Sequence, residues 1–542
     1  MVRLLRFALV SLAAMGTGLC ISTPTAPSAI PAEGKIAVPS VRMKDGKRRV
    51  VPAGPGKQIV MEMDGDGRES RALEPTGVPL TADQLPKLDM GAILGRAAGD
   101  LPRATVAGVA KTYAALNAGG SPGRDEGLLA AQLFALHATA ADKHGECWFQ
   151  AAAFHAAVAR QEGNRDVLVK AIEGAFRLKI DDAAKAAESE ACLNDVLALQ
   201  GSAYPPALKL AACAAALPYL APFVDNQADP GMKPDDPRRF IPRLLDAGVA
   251  QIEAMAKQGM PAPDLHDYAE ALLGQTTING GLPGATAKNL SPQSFTGGRR
   301  DRYEKLVAEA LARAKAPEEV EVFLKAKYLI DLASAARGTG LADSVTDEQA
   351  REMNDSLGQA RALLAEAGKK HPGNAQVPLL MMSTAFGDGM TKEALWEWFH
   401  KAIAIDPGNI GAYRVMMCYL QPQWYGSGQE MADFGVQCWK TLDWDNGIPM
   451  VLPIGMNMLA ANHPGFYRTN ANIKEAVEKS YRTYLTHYPE SLLTRTQYLQ
   501  FASKVGDWPV VKDQLAILNN YWDMTALDPW SYSEIAEEAA KH

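Results

Sequence analysis

Cysteine is scarce, with six residues in a chain of 542. Cys20 falls inside the first apolar run. That leaves Cys147, Cys192, Cys213, Cys418 and Cys438, too few and too odd in number for a disulfide framework. They read as small buried hydrophobes. Cys418 and Cys438 lie on what read as consecutive helices, so one bridge between them stays open in an oxidising compartment. After residue 21 no apolar run reaches membrane-span length. A membrane span takes about 20 apolar residues, so the mature chain is not expected to be an integral membrane protein. An excess of positive charge is missing too. The formal net charge is −7, about −9 without Arg3 and Arg6, which argues against a nucleic-acid partner or an anionic membrane surface. The phosphate-cradling GxxxxGK, the HExxH zinc helix and the CxxC pair are all absent. No catalytic residue, metal site or cofactor is expected.

What is present begins with an export signal over residues 1–32. Arg3 and Arg6 supply the positive start, Phe7 to Ile21 the uncharged apolar run, and small or turn-forming residues follow to Ala32. Leu19 precedes Cys20 where a lipidation site wants a small residue, so a plain cleaved signal is expected. A lipid anchor and a retained N-terminal anchor are the other readings. Residues 33–90 are rich in Pro, Gly and charge and predict a flexible or partly β arm, with turns at Asp45-Gly46 and at Asp64-Gly65-Asp66-Gly67. The second of these lacks the third ligand and closing glutamate of a calcium loop. The basic stretch Arg42 to Arg49 reads as a solvated hairpin, contact with an envelope polymer being the alternative.

Residues 91–298 predict an Ala-rich helical block. Leu128, Leu129, Leu133 and Leu136 have helical spacing, as do Leu193, Val196 and Leu197. Gly145, Gly163-Asn164 and Tyr204-Pro205-Pro206 are expected breaks. The prolines from Pro222 to Pro242 and the polar stretch from Gly274 to Gly298 read as linkers, the latter as a boundary near residue 300 or a functional loop. His137, His144, Cys147 and His155 form the densest polar cluster. They come together only if Gly145 is a hairpin turn, and they are expected as core or surface side chains rather than metal ligands.

Residues 299–542 carry eight of the nine tryptophans. Thr346 and Gln349 make a capping box opening a helix that ends near Lys369. Further helices are expected over 375–386, 391–405, 410–420, 428–442, 470–487, 490–504 and 508–520. One phrase occurs twice. Pro372-Gly373-Asn374 followed by Met381-Met382 recurs as Pro407-Gly408-Asn409 followed by Met416-Met417, 35 residues on (372 to 407, 381 to 416). That period marks stacked helical hairpins.

Ala360, Leu364, Ala367 and Pro372 resemble the second helix of a tetratricopeptide repeat and its closing proline. Phe399 to Pro407 resembles the same element, and Tyr481 to Pro489 a degenerate third copy. The glycine usual in the first helix is missing, Met382 and Met417 standing near its position. Tyr419-Leu420-Gln421-Pro422-Gln423-Trp424-Tyr425-Gly426-Ser427, with Met431 and Phe434, is similar to a motif of exported bacterial tetratricopeptide-like proteins that have no assigned activity. Here Pro422 is expected to end one helix, Trp424 to plug the hairpin and Ser427 to cap the next. The fold class that follows is all-α: an irregular helical-hairpin, tetratricopeptide-like solenoid, with the Ala-rich block and the arm before it.

At helical spacing Trp398 is expected to face inward with Leu395 and Ala402, and Trp396 the other way. Trp396, Tyr413, Trp424, Tyr425 and Trp439 are the candidate binding residues, rings on which an extended peptide or glycan could stack. The functional expectation is an exported, periplasmic or envelope-associated scaffold that holds a protein or peptide partner without catalysis. The other class is a hydrolase or lyase with a site between the two helical blocks.

Overall fold

The computed structural model describes residues 48–52, 57–63, 69–77, 124–140, most of 152–177, 186–220, 240–274, 309–337, 345–385, 390–463 apart from 423 and 425, 465–488, 491–518 and 529–542, with a few isolated positions. Strands β1 (Arg48–Pro52), β2 (Lys57–Met63) and β3 (Glu69–Gly77) pair antiparallel in that order, Arg48 opposite Glu62 and Lys57 opposite Gly77. The expected turns at Asp45-Gly46 and Asp64 to Gly67 lie outside the described residues, as do the signal and the Gly274 to Gly298 stretch beyond Gly274 itself.

From residue 124 onward every regular element among the described residues is helical. The first group is α1 (Arg124–Ala140), α2 (Val167–Arg177), α3 (Ala186–Ala198), α4 (Pro206–Leu220), α5 (Phe240–Lys257) and α6 (Ala262–Gly274). Then come α7 (Glu318–Arg337), α8 (Asp347–Lys370), α9 (Gln376–Ser383), α10 (Lys392–Ile405), α11 (Ile410–Tyr419) and α12 (Gly428–Lys440). The chain closes with α13 (Val451–Asn462), α14 (Ala471–His487), α15 (Leu492–Val505), α16 (Trp508–Leu518) and α17 (Pro529–Lys541).

Local chemistry explains most boundaries. Leu128, Leu129, Leu133 and Leu136 are all buried, as periodicity requires. Gly163 turns the chain at φ +92, in the left-handed region that costs glycine least. Pro206 starts α4, where a missing N–H breaks no bond. For the same reason Pro242 lies in the first turn of α5 rather than in a linker, which corrects the expectation that no regular element tolerates the run ending there. The Thr346–Gln349 capping box opens α8, both reciprocal bonds being present. Ser427 caps α12 through the Glu430 amide at 3.2 Å.

The repeated phrase is repeated in space. The His371 amide donates to the Ala367 carbonyl and the Asp406 amide to the Ala402 carbonyl, ending α8 and α10 alike. The Asn374 side chain accepts from the Gln376 amide at 2.9 Å, and the Asn409 side chain from the Ala412 amide at 3.1 Å. Positions 35 residues apart are buried in pairs: Leu364 with Phe399, Ala367 with Ala402, Leu380 with Val415, Met382 with Met417. Each of α7, α9, α11 and α13 packs on the next of that set as well as on the helix between. They form an inner row, with α8, α10, α12 and α14 outside.

Two buried clusters result. One joins residues of α1 to α6 with the last three helices, through Leu499, Val511, Leu515 and Tyr532. The other runs from α7 to α15. α7 and α15 serve both: Val320 and Leu324 enter the first cluster and Phe323 the second, while Leu499 and Ala502 enter the first and Tyr498 and Phe501 the second.

Three helices, α7, α13 and α17, were not among those expected. In α13 the run VLPIGMNMLAAN is almost wholly apolar and shows no amphipathic period. Pro453 sits in its first turn, and Gly455 removes the side chain at its crossing with α11. A Cβ at Gly455 would stand 2.4 Å from the Met417 sulfur, and one at Gly435 of α12 would stand 3.3 Å from the Met417 methyl. Met417 thus fills the room that Gly455 leaves, and shares the room at Gly435 with Leu452, whose Cδ1 would be 2.8 Å from a Cβ there. Gly455→Ala is expected to cost about 1–3 kcal/mol by overpacking, and Met417→Ala about 2–5 kcal/mol by its cavity. Chemical denaturation of the double variant should show a total below the sum of the two. Strict additivity would refute the wedge.

Candidate binding surface

Three helices and one connection supply the aromatic residues singled out above. On α10, Leu395, Phe399 and Ala402 are buried and mark the inward face. α12 approaches on the side of Lys392 and Trp396, where the Lys392 ammonium pairs with Glu430. Trp396 therefore packs edge-on against Phe399 at 5.6 Å and against Phe434 at 5.9 Å. Tyr413 of α11 meets the same group, 5.2 Å from Phe399 and 6.3 Å from Phe434. Its hydroxyl donates to the Pro407 carbonyl at 3.2 Å. Trp396 and Tyr413 are thus two edges of one cluster centred on Phe399 and Phe434.

Trp396 corrects the expectation for this helix. Trp398 is half-buried against the same core, with the Lys401 ammonium 4.1 Å from its ring centre. Trp396 is the ring that packs against the neighbouring helix, because α12 comes from its side.

The other candidates are not drawn into this cluster. Trp424 lies in the α11–α12 connection and packs edge-on against Tyr419 at 5.3 Å. Trp439 sits at the far end of α12, half-buried, with the Lys479 ammonium of α14 5.1 Å from its ring centre. α12 separates the two by about 18 Å at 1.5 Å per residue, so they cannot share one cage. The indole N–H groups of both are shielded and meet no acceptor. A buried indole N–H usually finds an acceptor. Tyr425 lies outside the described residues.

Around these rings runs a polar network that sequence patterns did not single out. The Tyr467 hydroxyl donates to the Asn457 side-chain oxygen at 2.8 Å, and the Asn457 amide donates to the Tyr481 hydroxyl at 2.9 Å. The Tyr488 hydroxyl donates to Asp445 at 3.1 Å. Tyrosine at 481, 484 and 488 shows in the sequence, but only the fold supplies the partners on α13 and its flanking turns.

Cys192, Cys213, Cys418 and Cys438 are free and buried, and no bridge joins Cys418 to Cys438. Burial pushes the thiols of Cys213, Cys418 and Cys438 up to about 12. Among the described residues no group of three or more His, Cys, Asp and Glu side chains could hold a metal ion. Of the histidine cluster only the His155 side chain is described. It is 3% exposed, beneath a backbone that approaches Gly127 closely. Burial lowers its pKa to about 3.

Two outcomes follow. Thiolate, not thiol, is the nucleophile, so Cys213, Cys418 and Cys438 should resist alkylation at pH 8 in the native state. They should all react once unfolded without prior reduction. Native labelling of Cys418 or Cys438, or a need for reductant, would contradict the free buried thiols. For His155 the unfolded chain, with an ordinary histidine pKa near 6.5, binds more protons than the native one between about pH 6.5 and 3. Stability is therefore lost as pH falls through that window, by up to about 1.4 kcal/mol per unit. His155→Gln should flatten the profile of unfolding free energy between pH 6.5 and 4. Parallel profiles would rule the burial argument out.

No family model matches the chain, and no curated protein is significantly similar to it.

Proposed function

We propose that the chain is an exported, non-catalytic scaffold of the tetratricopeptide type, holding a protein or peptide partner at the cell envelope through the surface of residues 346–520. The observation that carries this reading is the spatial repeat at 35 residues. Equivalent side chains from 364 to 382 and from 399 to 417 are buried in pairs, and equivalent asparagines accept a backbone amide at the start of the following helices. Such a stack sets successive helices side by side in an extended row, the form in which hairpin repeats hold chains. The start with Arg3, Arg6 and an uncharged run to Ile21 supports export.

The test uses the protein without residues 1–32 as bait against the envelope fraction of its own cells, after brief cross-linking. One specific protein is expected to co-purify, with cross-links mapping within 346–520. Recovery of no specific protein, or cross-links confined to residues 91–298, would count against the scaffold. Fractionation of the native protein checks the compartment, and a purely cytoplasmic distribution would reject export.

A further inference from the structure

A buried titratable group sits where the two clusters meet. Leu265, Tyr268, Ala269 and Leu272 of α6 enter the first cluster, whereas Phe323 of α7 enters the second. His266 lies between them, its ring edge-on to Phe323 at 6.3 Å. It is 3% exposed. Its Nδ1 faces the Asp267 carboxylate at 3.4 Å and the Glu270 carboxylate at 3.9 Å, and its shielded Nε2 has no partner among the described residues. Asp264, Asp267 and Glu270 stand three residues apart in succession, an acidic stripe along one side of α6.

From α7, Lys327 acts on the same ring and is itself paired with Asp331 at 2.8 Å, while Glu319 turns to His371. α1, α4 and α5 also pack on α6. The one charged side chain of α4, Lys209, is bonded to the Ser202 carbonyl. On α5, Glu253 is held by Lys257 and Arg313, and Arg243 and Asp246 are exposed. The titratable groups of α1 lie in its end turns, at Arg124, Asp125, Glu126 and His137. Burial by itself lowers a histidine pKa, as at His155. At His266 the same burial is outweighed by the Asp267 hydrogen bond and the charges of Glu270 and Asp267, which hold its pKa above the ordinary value.

We propose that His266 is a proton-operated latch between the Ala-rich block and the repeat row: as imidazolium it ties the acidic stripe of α6 into the seam with α7, and on losing its proton it lets that seam loosen. Deprotonation removes a charge-assisted bond and leaves Asp267 and Glu270, neighbours on one helix side, to repel each other. The unfolded chain has an ordinary histidine pKa of about 6.5, so the native state holds the extra proton above that pH. The latch is therefore fully set below about pH 6.5 and is released as pH rises through the native value. Its sign is opposite to that of His155. The latch needs no partner and stands apart from the scaffold reading.

Hydrogen–deuterium exchange of the full chain, followed by mass spectrometry between about pH 6 and 9 and corrected for intrinsic rates, reads the seam. Protection of α6 and α7 should fall about tenfold as pH rises, the scale of a lost bond to a charged group, while protection of α11 stays constant. His266→Gln should show the low value at every pH. The Asp267→Asn, Glu270→Gln double variant should move the midpoint of the fall to lower pH, because burial then acts on the ring unopposed. That variant carries the test by itself if His266→Gln does not fold. Protection of the seam independent of pH in the wild-type chain, a fall retained in His266→Gln, or an unmoved midpoint in the double variant would overturn the latch. So would an equal fall in α11, which would mark a general loosening of the molecule.

Discussion

The side chain of Met417 and the two glycines that make room for it govern the centre of the molecule. Met417 is fully buried on α11, facing Gly435 of α12 and Gly455 of α13. A β-carbon at Gly455 would overlap the Met417 sulfur, so with a side chain at 455 Met417 would have to move. Methionine suits the gap, since an unbranched thioether adapts to irregular space. Here α11 carries the large residue and its neighbours carry the glycines, which keeps their approach close.

That packing also sorts two adjacent residues into different surroundings. With α11 held between α9 and α13, Tyr413 meets Phe399 and Phe434 toward the outer helices. Arg414, about 100° further round, is half-buried. The aromatic group is therefore mostly structural.

The ends of the chain are tied together by two helices with double allegiance. On α7, Phe323 and Leu324 are consecutive yet enter different clusters, and on α15 so do Tyr498 and Leu499. Neighbouring residues of a helix diverge by about 100°, so one helix can seal two cores. The last helices consequently share a core with the Ala-rich block although hundreds of residues separate them in sequence.

Local signals were legible wherever one residue type meets one backbone need. The Thr346–Gln349 box, the Ser427 cap and the paired Pro-Gly-Asn turns all sit where their chemistry requires. Helical spacing of leucines likewise predicted the buried faces of α1 and α3. Signals failed where a helix is buried on nearly all sides. α13 has no polar face for periodicity to detect, and its Pro453 and Gly455 look like breaks until α11 is laid against them. Trp396 and Trp398 were assigned by spacing alone, which cannot say from which side α12 arrives. The amino-acid sequence by itself determined helix starts, helix stops and the 35-residue echo, because these rest on bonds within a few residues. Only the tertiary structure decided which rings meet and which thiols stay apart, because those depend on contacts between distant segments.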